Sequence, residues 1–376
     1  SYNVSVGMDS LYSNTTASEN TAVGFSAGYS GATSAMNTLV GFKAGYTQTF
    51  DGDQHSVFIG RFAGYFNTSA QHNVAVGSTS LYQNTTGTGN VAVGFTSGQY
   101  NTTGDNQTFV GFHAGQGITG AKLTGNNNTA VGKDAGLLLQ GAAASNTFVG
   151  DSAGAAVTTS TENSCFGSIA GEEISTGTRN TMIGARAGNY EVGTSTGSYN
   201  TVVGSYSHVG SVDGDRANVF GYDVTGTAAY TTLGAGADDI RAAHGNVTWA
   251  TVSDERYKKD IVDSTAGLSF INALTPRTFK YKTLGELPET FNAYEADSTE
   301  VFKNSNINHG FIAQEVKAAI DADSSIKDGF RLWDDRDDGS QEVAEAALIP
   351  ILVKAIQELS ATNDALTARI TALEGA

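Results

Sequence analysis

Residues 253–261 of this 376-residue chain read Ser253-Asp254-Glu255-Arg256-Tyr257-Lys258-Lys259-Asp260-Ile261, a run that offers a nucleophile and a base. A serine hydroxyl attacks a carbonyl only once a base takes its proton, and a lysine serves as that base only where burial or nearby charge lowers its pKa toward neutrality. Ser253 and Lys258 stand five residues apart. By spacing alone the run fits a solvated turn as well, since serine before a basic cluster commonly makes one.

The run sits where a proline-free, glycine-rich array gives way to ordinary mixed sequence. Beyond it come Pro276-Arg277-Thr278-Phe279-Lys280-Tyr281-Lys282, then Gly310-Phe311-Ile312-Ala313-Gln314-Glu315-Val316, then Leu352-Val353-Lys354-Ala355-Ile356-Gln357-Glu358-Leu359. In this order the four blocks resemble the self-cleaving intramolecular chaperone domains, the S74-type auto-processing modules at the C-termini of phage tail fibres and tailspikes. The resemblance covers about 253–376, and the first and third blocks are the specific ones.

That resemblance implies a scissile bond at Val252–Ser253, with Ser253 as nucleophile and Lys258 as general base and then proton donor to the leaving amine. Asp254 would orient the pair or cap a following turn. His309, Gln314 and Glu315 are read first as fold or interface residues and second as catalytic support. The resemblance also implies a homotrimer, synthesis in the host cytoplasm, a place in the virion tail fibre, and one cut per chain, made in cis without a cofactor.

The elements that must position this chemistry follow from a repeat that fills residues 1–236. A unit of the form Asn-Thr-Ala-Val-Gly-x-x-Ala-Gly recurs, its first glycine at Gly7, Gly24, Gly41, Gly60 and onward to Gly221, with a degenerate copy at Gly234. The commonest interval is 17 residues. The residue before the glycine is apolar (Val23, Val40, Ile59, Val76), and two residues earlier stands Thr or Val, the period-2 stripe of a short strand. The intervening position is also mostly apolar, so the strand is expected to be buried on both faces.

One turn of a solenoid buries one strand face, and the second calls for a partner surface, which three chains around a common axis would supply. The array resembles the stacked β-rolls of trimeric adhesin heads and the β-helical shafts of phage fibres. The expected fold is therefore a mainly β repeat solenoid, a trimeric β-roll or β-helix shaft, plus a C-terminal α/β domain ending in a coiled coil. The expected boundaries are 1–236 for the shaft, 237–252 for a transition and cleavage linker, and 253–376 for the chaperone domain, with the coiled coil over about 346–374.

Ten of the first twelve units begin with asparagine, which tolerates left-handed backbone and bonds its own neighbouring backbone. Turn formation explains it without a ligand; a calcium site would need Asp at alternate loop positions, which most units lack. The second glycine, as in Gly28 and Gly45, reads as a tight corner. Tyr12, Tyr29, Tyr46, Tyr65 and Tyr82 recur on the loops, either as structural caps or as a surface for a host-cell glycan or protein receptor. Cys165 falls on a middle strand position and reads as a buried small hydrophobe. The histidines of the array occupy non-equivalent positions, which argues against a metal cluster.

A formal net charge of −17 is spread over both parts: residues 1–252 hold 8 basic and 16 acidic side chains, residues 253–376 hold 13 and 22. Without a basic stripe, nucleic acid and anionic lipid are poor partners. No apolar run is long enough to span a membrane. The chain opens inside a repeat without the regions of a signal peptide, so an upstream anchoring segment is expected. Near the C-terminus, Ile349, Ile356, Asn363 and Ile370 alternate with Leu352, Leu359, Leu366 and Leu373 as heptad a and d positions. That pattern by itself favours two strands, whereas the resemblance implies three. Two further readings stand beside the tail fibre. A bacterial trimeric surface adhesin would need a membrane-embedded C-terminal barrel, and a polysaccharide-degrading tailspike would need two carboxylates about 5–10 Å apart in a cleft.

Overall fold

The computed structural model describes residues 2–189, 196–246, 248–327 and 330–375. The chain divides into two compact units, Ser1–Ser253 and Asp254–Ala376.

The first unit is a β-solenoid, as the repeat requires. Fourteen strands from Val4–Val6 to Tyr230–Ala235 pair in parallel in chain order, and a fifteenth, Asp238–Ala243, turns back antiparallel on the last. That final strand lies within the segment read as a transition. Register follows the repeat residue for residue, Thr21 against Thr38, Ala22 against Leu39 and Val23 against Val40. From the second strand on, only the middle side chain of each three-residue strand is buried in the coil. Leu39, Phe58, Phe109, Phe148, Met182 and Val202 there are wholly buried, and so is Cys165, whose thiol is pushed up to about 12 by burial.

The flanking positions point outward, onto the face that the sequence reading assigned to partner chains. Ile59, Val93, Val149, Phe166 and Ile183 are exposed in the single chain, and their counterparts at the first strand position are half-buried. A coil has one interior, and a strand this short can aim only its central residue into it.

Glycine is required at the end of each strand by close approach as well as by backbone angle. From Gly7 to Gly221 the first glycine of each unit holds φ between +125° and +140°. A Cβ on Gly41 would lie 2.5 Å from the carbonyl oxygen of Gly60 in the next coil.

The asparagines differ from the expectation. From Asn20 onward they are buried, and the left-handed residue is the one before, as at Glu19, Met36, Glu162 and Arg179. Each Oδ1 accepts from the backbone N–H at the equivalent position of the next coil, Asn37 N to Asn20 Oδ1 at 3.0 Å and Asn90 N to Asn73 Oδ1 at 2.8 Å. Where a unit lacks asparagine, Ser56 and Gln107 take its place in the ladder. The asparagines thus lock coil to coil, which satisfies a buried N–H that the strand ladder leaves over.

The second unit is α/β. Helix α1 (Leu268–Ala273), α2 (Ala313–Ala322) and α3 (Ile349–Glu374) accompany two hairpin-like strand pairs, Arg277–Phe279 with Asn308–Gly310 and Trp333–Asp335 with Gln341–Val343. Phe270 of α1, Val316 and Ile320 of α2, Ile351 of α3, and Leu332 and Leu348 from the segments before α3 form its core. Pro350 opens α3, where its missing N–H costs nothing. The helix buries Ile351 and Ala355 against the unit and leaves the a and d residues Ile349, Leu352, Ile356, Leu359, Leu366, Ile370 and Leu373 exposed.

Candidate functional site

Two tethers inside the first unit hold the chain just before the expected scissile bond. Ala250 and Arg241 exchange backbone hydrogen bonds of 2.8 Å, and Thr251 Oγ1 donates to the carbonyl of Asp239 at 3.2 Å. The last strand of the solenoid therefore grips the chain up to Thr251. Val252 and Ser253 follow in irregular, exposed backbone.

Within the second unit, a turn of 3₁₀ helix at Glu255–Tyr257 carries Lys258 at its C-cap, the Lys258 N–H donating to Glu255 O at 2.9 Å. Asp254 is its N-cap, accepting from the Arg256 N–H at 2.9 Å. The Arg256 guanidinium also reaches both carboxylate oxygens, at 3.0 and 2.7 Å. These bonds hold the Asp254 carboxyl below the usual carboxylate range, the side-chain bonds to Arg256 being the largest cause. Of the two roles considered for Asp254, the geometry displays the cap.

Every residue from 251 to 265 is exposed in the single chain. Tyr257, Ile261 and Val262 put apolar side chains into solvent here.

The supporting residues fall on two elements. His309 is exposed on Asn308–Gly310, opposite Thr278, and Gln314 is exposed in the first turn of α2. Glu315 is bound to Arg277 by paired bonds of 2.8 and 3.0 Å, which hold its carboxyl below the usual range. That pair ties α2 to the Arg277–Phe279 strand and accounts for Glu315 as a fold residue.

Sequence reasoning missed Glu358. From α3 it accepts the Leu268 N–H at the start of α1, at 2.8 Å. The heptad reading named only the a and d residues and passed over it; the available signal was Gly267, an N-cap without a capping side chain before an apolar run.

On the shaft, the tyrosines stack on one another. Tyr12, Tyr29, Tyr46 and Tyr65 have ring centroids 5.0 Å apart and interplanar angles of 1–11°. A ring whose faces are covered by its neighbours has only its edge for a sugar, which favours the cap reading. His55 and His72, read as non-equivalent, occupy the same position of successive coils and stack with ring centroids 5.6 Å apart, but among the described residues no three His, Cys, Asp or Glu side chains are grouped to hold a metal ion, and no helix is long and apolar enough to cross a membrane.

Residues 253–323 match the model of a protein family, peptidase S74, described as the chaperone of endosialidase. The match opens on Ser253 and ends at Asp323, the C-cap of α2, so it covers under a fifth of the chain and leaves the fourth block and α3 outside. No curated protein and no solved structure matches the chain. The family is one of self-cleaving peptidases, and a β-solenoid followed by such a segment fits a phage tail fibre or tailspike with a C-terminal chaperone domain.

Proposed function

We propose that this chain is the shaft of a trimeric phage tail fibre whose C-terminal domain brings three chains into register and then releases itself by cutting Val252–Ser253. The observation that carries the reading is the position of the family match, which begins on Ser253 two residues past the last tether to the solenoid.

The chemistry balances with the chain's own groups. Lys258 as general base takes the proton of Ser253 Oγ as that oxygen attacks the Val252 carbonyl. The peptide C–N bond breaks, the proton passes to the freed α-amine of Ser253, and Val252 is left as an ester on Oγ. Water hydrolyses the ester, giving a shaft ending at Val252 and a domain beginning at Ser253. Asp254, locked to Arg256, fixes the turn that separates the two groups. His309, Gln314 and Glu315 serve the fold and the interfaces of the domain.

Association of the chains through α3 has its own physical support, and the number three comes from the family resemblance. The a and d stripe of α3 is exposed over the length of the helix, and such a stripe is stable in water only against its like. A solenoid whose contacts lie a full coil apart nucleates slowly, and a helical bundle that forms first would keep three copies in register. Once the domain is gone, the shaft cannot refold through it, so its persistence becomes kinetic. The shaft then presents its loops to a host-surface receptor.

Denaturing gels of wild type beside Ser253→Ala test the cut, and light scattering of Ser253→Ala tests the assembly. The reading expects two wild-type fragments, one mutant band, and a native mass three times that of the chain. A single wild-type band would remove the cleavage, and a monomeric mass the trimer.

A further inference from the structure

We propose that the outward face of the solenoid's main sheet is the surface on which neighbouring shafts meet, so that copies of this array pack sheet to sheet along their length. The inference rests on the trimer reading above and names the surface it uses.

Two columns of side chains make that face. The last strand position is apolar from Val6 through Leu233, and the first is Val, Thr, Ser or Asn; neither column contains a charged side chain, in a chain of net charge −17. At two places Phe25 with Phe42, and Phe95 with Phe112, extend the apolar strip just past the glycine, as stacked pairs 5.3 and 5.4 Å apart, whereas other coils carry Arg61, Lys133 and Asp151 at that position. Exposed apolar strips of this extent mark contact surfaces.

Periodicity selects the occupant. Fourteen parallel strands at the ~4.8 Å spacing of a sheet make a strip about 60 Å long that repeats at every rung. A globular partner would touch part of it and have no matching period. Another copy of the same array matches it rung for rung, and two uncharged strand columns can meet their like without like-charge repulsion. The β-branched residues of both columns suit face-to-face sheet packing.

Cysteine cross-linking tests this. The native Cys165 is wholly buried, so an introduced cysteine is the reactive one. In the full-length Ser253→Ala chain, Val93→Cys, Val149→Cys and Ile183→Cys are compared with Thr159→Cys, an exposed loop position of the same array. A short bis-maleimide is expected to give covalent dimers and trimers from the three strand variants and none from Thr159→Cys. Three separate coils are used so that misfolding of one variant leaves two readings. Light scattering of the same samples separates the two claims. A trimeric mass with cross-links only from Thr159→Cys overturns the sheet face and keeps the trimer; a monomeric mass overturns both.

Discussion

The Glu358 carboxylate of α3 accepts the backbone N–H of Leu268 at 2.8 Å and so caps α1 from a helix 90 residues away in sequence. Gly267 makes the approach possible, because a Cβ there would stand 2.6 Å from Glu358 Oε2. An acceptor at a helix start satisfies an N–H that has no partner within the helix, and its negative charge suits the helix dipole.

Glu358→Ala is therefore expected to destabilise the C-terminal unit by about 1 kcal/mol, the usual value of an N-cap. Gly267→Ala should act in the same direction by displacing the carboxylate, and combining the two should cost less than the sum, since they remove one interaction. Denaturant midpoints followed by far-UV circular dichroism check this; full additivity would show that the two residues act separately.

In the shaft, Asn90 Oδ1 accepts the Gln107 N–H at 2.8 Å, and Asn90 Nδ2 donates to the Gly104 carbonyl at 3.0 Å. Asn90→Ala leaves the buried Gln107 N–H unpaired and should lower stability by about 1–3 kcal/mol. Asn90→Asp keeps the acceptor but buries a charge without a cation, and should be worse than alanine. A thermal melt of the purified shaft reads the order.

The repeat made the solenoid legible, because a 17-residue period puts the same residue at the same place in every coil. Which of two apolar stripes faces inward was not legible. Ala22 and Val23 are both apolar, and only coil closure buries the first and leaves the second half-exposed. The asparagines were visible as a pattern, but their partners lie one coil away, so a local reading assigned them to their own turn. Ser253 and Lys258 stood out through a motif, whereas the Asp254–Arg256 clamp is a local bond that an N-cap reading of Asp254 foreshadowed. Glu358 was hidden because its contact joins segments that sequence spacing does not relate.

Asp338 ties two loops of the C-terminal unit, accepting from Ser340 Oγ at 2.6 Å, Ser340 N at 2.9 Å and Asn292 N at 3.0 Å. The Ser340 hydroxyl is the largest cause of a carboxyl held down to about 2 from an ordinary 3.8. The folded state favours the ionised form, so the stabilisation is fully present above the ordinary value and is lost as pH falls through about 2. Asp338→Asn should therefore unfold earlier than wild type at neutral pH, with the gap closing as pH falls from 3.8 toward 2. A gap that is constant across that window would assign the effect to packing.

The central claim is self-cleavage at Val252–Ser253 by Ser253 with Lys258, and intact-mass spectrometry with N-terminal sequencing of wild type, Ser253→Ala and Lys258→Ala tests it most directly. The account predicts that wild type gives a shaft ending at Val252 and a fragment beginning at Ser253, and that both variants stay at full mass. Full-length wild type under the same conditions, or a Lys258→Ala chain cut as fast as wild type, would contradict it.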